Sequence, residues 1–277
     1  GQVRDALQAG KHVLSQKPFT FDLAEGRSLI ALAKKRGVKL AVNQNGRWAP
    51  QFAGLLAAVR GGLLGEIYTL DMVMEWDHTW TRGSKFAGLH HLILNDFAIH
   101  WFDIAANVFA GRPAQSVFAN AVKAPGQDMK IPMLANAVVN FGDGLATLGF
   151  SAYESLAPHE YLCCVGSKGT LRGAGNLCNL TQLELTTKRG TATVDLEGKW
   201  FSDGFRGTLG EFLRAIEEDR EPSISASNNL RSLELCFAAL ASADLRVLDF
   251  SAACAHAKRG DLVYMDPPYV PLSPTAS

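Results

Sequence analysis

The stretch Asn95-Asp96-Phe97-Ala98-Ile99-His100-Trp101-Phe102-Asp103-Ile104 is apolar, yet polar residues recur through it at steps of four, three and four: Asp96, His100, Asp103 and Asn107. On a helix these positions share one face. A carboxylate one turn from an imidazole can hold its tautomer and raise its basicity, as a general base requires. The alternative is a solvent face, but such faces are usually built from Lys, Glu and Arg, and this stripe has none. Lys17 follows the short apolar run His12-Val13-Leu14, and the turn after a parallel strand is the usual address of active-site residues in open α/β sheets. Pro18 holds Lys17 extended or permits a cis bond that would aim its amine. Taken alone, Lys17 reads first as a surface lysine.

Trp76-Asp77-His78-Thr79-Trp80 puts two aromatic rings and two polar groups in one loop. Trp76, His78 and Trp80 could form a wall on which a sugar stacks, or the two tryptophans could simply anchor the loop on the core. Arg47 beside Trp48 could flank a cofactor or make an ordinary salt bridge. His90-His91 gives no metal site, because adjacent side chains point apart and no Cys or acidic partner has ligand spacing. Cys163-Cys164 reads as buried strand.

These residues need elements to hold them. Residues 1–45 alternate helix and strand: a helical pattern ending at Gly10, a strand over 12–14, a helix capped by Asp22 with Glu25 three residues on, a stop at Gly37 and a strand over 38–42. That rhythm is one half of a doubly wound sheet. Further on, the apolar helix spans 93–110, and strand-like runs occur at 68–76, 115–123, 133–141, 145–152, 160–166 and 181–195. Gly142-Asp143-Gly144 marks a hairpin turn. Helices from Asp203 to Asp219 and from Ser225 to Ala243 close the region. The expected fold is a remnant of a doubly wound Rossmann domain (1–45), then a large, mostly antiparallel open sheet with helices on one face (46–245), then a tail (246–277).

Composition narrows the function classes. The 277 residues are 47% hydrophobic and 19% charged, a globular balance. Lys+Arg and Asp+Glu both number 27, so no net field attracts nucleic acid or a membrane surface. No apolar run reaches the ~18 residues that span a bilayer. Five scattered cysteines form neither a disulfide framework nor a zinc pattern, which points to a reducing compartment, the cytoplasm.

Several motifs together resemble one family. Ala9-Gly10-Lys11-His12-Val13-Leu14-Ser15-Gln16-Lys17-Pro18 resembles the A-G-K-H-V-L-x-E-K-P signature of the Gfo/Idh/MocA oxidoreductases, and the Asp96–Asp103 segment resembles their D-x-G-x-H-x-x-D. Asn43 to Pro50 is similar to their N-x-R-x-x-P, and the stretches 204–212 and 229–233 look like their closing helices. The resemblance implies an NAD(P)-dependent dehydrogenase of sugars, polyols or related cyclic alcohols. Lys17 would orient the substrate hydroxyl, His100 would be the acid/base, and Asp96 would position His100 or the substrate. Gln16, Lys17, Pro18 and Arg47 would border the cofactor; Asp103 would join Trp76, His78 and Trp80 at the substrate. The second domain would serve homo-oligomerisation. Gln16 stands where the family has Glu, and Ala98 where it has Gly.

The family's G-x-G-x-x-G turn is absent from these residues, so the NAD or NADP site is expected to be incomplete and unaided binding weak. The chain opens inside a helical pattern and stops after a loop motif, which reads as a fragment. Residues 246–277, with Asp266-Pro267-Pro268-Tyr269, resemble instead the D-P-P-Y region of Dam-type DNA adenine methyltransferases, in which these residues hold a flipped adenine. Neither a basic face nor a second glycine-rich motif accompanies them. Two rival expectations therefore stand beside the dehydrogenase: a methyltransferase fragment and a non-catalytic oligomerisation module.

Overall fold

Gly10, at φ +70°, ends helix α1 (Gln2–Gln8) and turns the chain into strand β1 (Val13–Ser15). The computed structural model describes residues 1–176, 178 and 180–243, all within the first of the chain's two units, Gly1–Asp244. Asp266, Pro267, Pro268 and Tyr269 lie outside the described residues.

Helix α2 (Leu23–Arg36) starts where Asp22 Oδ1 accepts the Ala24 N–H at 2.8 Å and stops at Gly37, φ +66°. The reciprocal half of the expected capping box goes elsewhere. Thr20 Oγ1 takes the Asp22 N–H, while Glu25 pairs with Arg4 at 2.7 Å. Strand β2 (Leu40–Val42) pairs in parallel with β1, Leu14 beside Ala41. Leu7, Leu29, Leu40 and Val42 form a small core that also takes Ile99, Leu230 and Leu233, so this α-β-α-β segment is packed onto elements far along the chain.

Helix α3 (Pro50–Arg60) opens with proline, whose missing N–H costs nothing at a helix start. Next comes an eight-stranded sheet: β3 (Ile67–Glu75), β4 (Ser116–Val122), β5 (Leu134–Asn140), β6 (Leu145–Ser151), β7 (His159–Gly166), β8 (Gly169–Gly175), β9 (Gln182–Thr187) and β10 (Gly190–Asp195). Their spatial order is β10-β9-β8-β7-β3-β6-β5-β4, and only β3–β6 is parallel. The large, mostly antiparallel open sheet is thus as expected, with two differences. The run 181–195 is a hairpin rather than one strand, turning at Lys188-Arg189. Strand β8 carries no strand signal in the sequence, because three of its seven residues are glycines, which weaken it.

One face of the sheet is core. A row of paired residues, Ala119, Ala137, Leu148, Met72 and Leu162, is fully buried beneath helices α4 (Ile99–Val108) and α6 (Ala226–Ala243). The adjoining row, beginning Phe118, Val138 and Thr147, faces outward. Helix α5 (Trp200–Glu217) lies against the short 3-10 turn Asn45–Trp48. No helix among the described residues is long and apolar enough to cross a membrane.

The expected helix over 93–110 is not uniform. Residues Ile93–Phe97 form a π turn, in which the Ala98 N–H reaches back five residues to the Ile93 carbonyl at 2.8 Å. Such turns are rare and often occur at functional sites.

Candidate active site

Strand β1 delivers Gln16 and Lys17 to its C-terminal end, where the Lys17–Pro18 peptide is cis. Lys17 Nζ donates to Asp96 Oδ1 at 3.0 Å and to the Asp96 carbonyl at 2.6 Å. Asp96 sits in the π turn and His100 at the start of α4, and both open onto the same cavity of about 340 Å³. Gln16, Lys17, Trp76, His78 and Trp80 line it too. Seven of the residues singled out from the sequence therefore meet in one place.

Their relationships differ from the expected ones. Asp96 makes no hydrogen bond with His100; its carboxylate faces Lys17 instead. His100 is not made more basic. Burial, and then the Lys17 charge, push its pKa down to about 3. Its Nδ1 is buried on the side of Gly46, with no hydrogen-bond partner among the described residues. The ring is therefore neutral at pH 7, the form that accepts a proton.

Arg47 and Asp103, expected at the cofactor and the substrate, face each other instead. Arg47 Nε and Nη2 donate to the two Asp103 carboxylate oxygens at 2.6 and 2.7 Å, and both side chains are almost wholly buried. Ser223 O, Asn228 Oδ1 and Ser232 Oγ complete the network. Every oxygen of Asp103 and the fork of Arg47 are thus committed to fastening α4 and the Asn45–Trp48 turn to the start of α6. Phe97, His100 and Trp101 line the cavity, whereas the side of α4 that carries Asp103 meets Arg47, and Ser232 of α6.

Much of the wall carries no signal of type or spacing in the sequence. Phe97, Trp101, Trp200, Phe201 and Phe205 supply aromatic surface, and Asn43, Asn45 and Cys178 supply polar atoms. Trp76 stacks on Phe97 (centroids 4.0 Å apart) and Phe97 on Trp101 (4.4 Å). Trp200 donates its indole N–H to Asn45 Oδ1 at 3.1 Å. Asn43 and Asn45 follow strand β2, the same structural address as Lys17 after β1. Behind the wall, Glu160 is buried, accepts the Cys178 N–H at 2.8 Å, and has its pKa raised by burial to about 7.

Residues 2–44 match the family model described as an oxidoreductase family with an NAD-binding Rossmann fold, and residues 52–172 match the GFO/IDH/MocA C-terminal domain. Residues 207–277 match the D12 class N6 adenine-specific DNA methyltransferase model; the described part of that segment contains most of α5 and all of α6, which pack into the unit above. The chain is 26% identical to D-apiose dehydrogenase of Paraburkholderia graminis over 86% of its own length and 66% of that protein's. It is 35% identical to the uncharacterized oxidoreductase YdgJ of Escherichia coli over 44% of its length, spanning 35% of YdgJ. The fold is that of an oxidoreductase from Agrobacterium radiobacter solved with NAD+, L-tartaric acid and magnesium: TM-score 0.76 and 20% identity, over 91% of this chain and 77% of that one. Two consecutive models of one family, the cavity at the end of β1 and the shared fold together make residues 2–172 of this chain a member of the Gfo/Idh/MocA oxidoreductases.

Proposed function

We propose that the cavity is the hydride-transfer site of an NAD(P)-dependent dehydrogenase acting on a sugar, polyol or related cyclic alcohol. The observation that carries this reading is the convergence of Lys17, Asp96 and His100 on one cavity at the C-terminal end of the parallel pair β1–β2. Residues 1–45 are then the last part of a dinucleotide-binding domain, residues 46–245 the substrate and oligomerisation domain, and 246–277 a separate tail.

The nicotinamide end of a dinucleotide fits what is present. Gln16, Lys17 and Pro18 would border it, and Asn43 Oδ1, buried and without a partner among the described residues, is an acceptor suited to a carboxamide N–H. The pyrophosphate end does not fit these 277 residues, which contain no G-x-G-x-x-G turn, and we expect weak binding from them alone. When bound, the dinucleotide supplies the hydride acceptor. Lys17 donates to the substrate hydroxyl oxygen and stabilises the alkoxide as it forms. Asp96 holds the Lys17 amine toward the cavity. Neutral His100 takes the hydroxyl proton. The Lys17 charge makes the hydroxyl a stronger acid and so eases the release of its proton.

The outward row with Phe118 and Val138, together with exposed Val122 and Leu145, supports a homo-oligomer built on the open sheet. Free Cys163, Cys164, Cys178 and Cys236 fit a cytoplasmic location. The test is turnover: purified chain with NAD+ or NADP+ against D-apiose, inositols and aldoses, followed by absorbance of the reduced nicotinamide. Turnover that disappears in Lys17→Met supports the reading. No turnover, with no fluorescence change on titrating NADH or NADPH, refutes it for this chain. The match over residues 207–277 favours a second reading, an adenine methyltransferase fragment, which requires a thermal shift with S-adenosylmethionine.

A further inference from the structure

Trp76 and His78 follow the last residue of β3 and meet each other: Trp76 Nε1 donates to His78 Nδ1 at 2.9 Å, with both residues buried. An indole N–H can only donate. Nδ1 must therefore keep its lone pair, and a neutral imidazole so held carries its proton on Nε2. The ring cannot turn over to offer the other nitrogen. It stands edge-on among Trp76, Trp80 and Phe97, with centroids 5.5, 5.0 and 5.5 Å away and planes inclined at 74°, 69° and 64°. Its backbone is fixed as well: the His78 N–H donates to the Ala152 carbonyl at 3.0 Å, and its carbonyl accepts from Thr81 Oγ1 at 2.9 Å.

Among the described residues, Trp76 is the ring's one hydrogen-bond partner, and His78 lines the cavity that holds Lys17 and Asp96. The charged groups that act on it are Asp96 and Asp77, which favour a cation, and Lys17, which opposes one. Burial, helped by Lys17, outweighs the two carboxylates and keeps the pKa below its ordinary value. The neutral form is thus supported both by Trp76 and by the surroundings.

We infer, on the reading that this cavity receives the substrate, that His78 is a specificity residue, a fixed N–H donor from Nε2 to a second substrate oxygen, and that Trp76 is the positioning residue that sets its tautomer. Lys17 faces the reacting oxygen, so the two donors together require a substrate with at least two oxygens: a diol, a hydroxy ketone or a hydroxy acid. A simple monoalcohol would leave a buried N–H unpaired, which is how hydrogen-bonding sites reject analogues.

The decisive measurement is a long-range proton–nitrogen correlation spectrum of the histidine-labelled 277-residue chain, with His78 assigned by its loss in His78→Gln. The expected result at pH 7 is a neutral ring protonated on Nε2, and Trp76→Phe, which keeps the stack and removes the donor, should mix the two tautomers. A ring protonated on Nδ1, a cation at pH 7, or an unchanged tautomer in a folded Trp76→Phe overturns the inference. If Trp76→Phe fails to fold, the wild-type tautomer decides alone. Titration with D-apiose, myo-inositol and D-glucose should shift the Nε2–H resonance with at least one sugar and leave it unmoved by cyclohexanol. No shift with any of the three overturns the donor role. None of these readouts uses turnover, so a chain without dehydrogenase activity fails the functional reading separately.

Discussion

The Lys17 ammonium stands 3.0 Å from the Asp96 carboxylate and 2.6 Å from the carbonyl of the same residue. One residue of a π turn thus takes two of the amine's three protons and leaves the third for the cavity. The wide turn puts the side chain and the carbonyl of Asp96 within reach of one donor. His100, on the helix that follows, feels this lysine as the largest influence after burial.

Lys17→Met should therefore act on His100 as well as on turnover. Removing the charge raises the His100 pKa from about 3, an upward move readable by proton NMR titration of the imidazole. If Lys17 stabilises the alkoxide, the same variant loses about 100-fold or more in kcat. An unmoved imidazole titration would show that burial alone depresses it.

His100 also sets a pH dependence of stability. The folded ring is protonated only near pH 3, whereas an unfolded one titrates near 6.5. The unfolded chain binds the extra proton between these values, so this contribution is complete above pH 6.5 and is lost as pH falls toward 3. His100→Asn should flatten that part of the profile in urea melts taken from pH 7 to pH 4.

Glu160 works in the opposite sense. Burial raises its pKa from 4.5 to about 7, so the folded state holds a proton that the unfolded chain has released. The contribution is full below pH 4.5 and is lost as pH rises through 7. Glu160→Gln keeps the shape without the charge. It should be more stable than the parent at pH 8, by on the order of 2–3 kcal/mol, and nearly equal to it at pH 4, as measured by denaturant unfolding.

Arg47 and Asp103 are predicted to matter for folding rather than for cofactor or substrate. Either Arg47→Ala or Asp103→Ala leaves a charge buried without its partner, which costs about 3–5 kcal/mol. The check is a denaturation curve. A folded Arg47→Ala of parental stability with weakened dinucleotide binding would return Arg47 to the cofactor.

Gly207 lets α5 lie close against the Asn45–Trp48 turn, since a β-carbon there would overlap the Trp48 indole. Gly207→Ala should cost about 1–3 kcal/mol. Gly210, on the same helix with open space around it, is the control: alanine there should stabilise slightly.

Much of this molecule was readable as a string of residues. Asp22 and Gly37 bracket α2, Gly142-Asp143-Gly144 turns β5 into β6, and Lys17, Asp96 and His100 stood out by type and spacing. Each of these signals acts within a few residues, through a cap, a turn or a helical period, so the chain states it locally. The partners did not follow from spacing. Lys17 and Asp96 are 79 residues apart and Arg47 and Asp103 are 56, and each carboxylate on the one polar stripe had several cations within eventual reach. Which cation it met depended on a single extra residue in the π turn and on how α4 rotates against α6. Those are outcomes of packing, in which buried charges must find whichever partner the closed core leaves beside them.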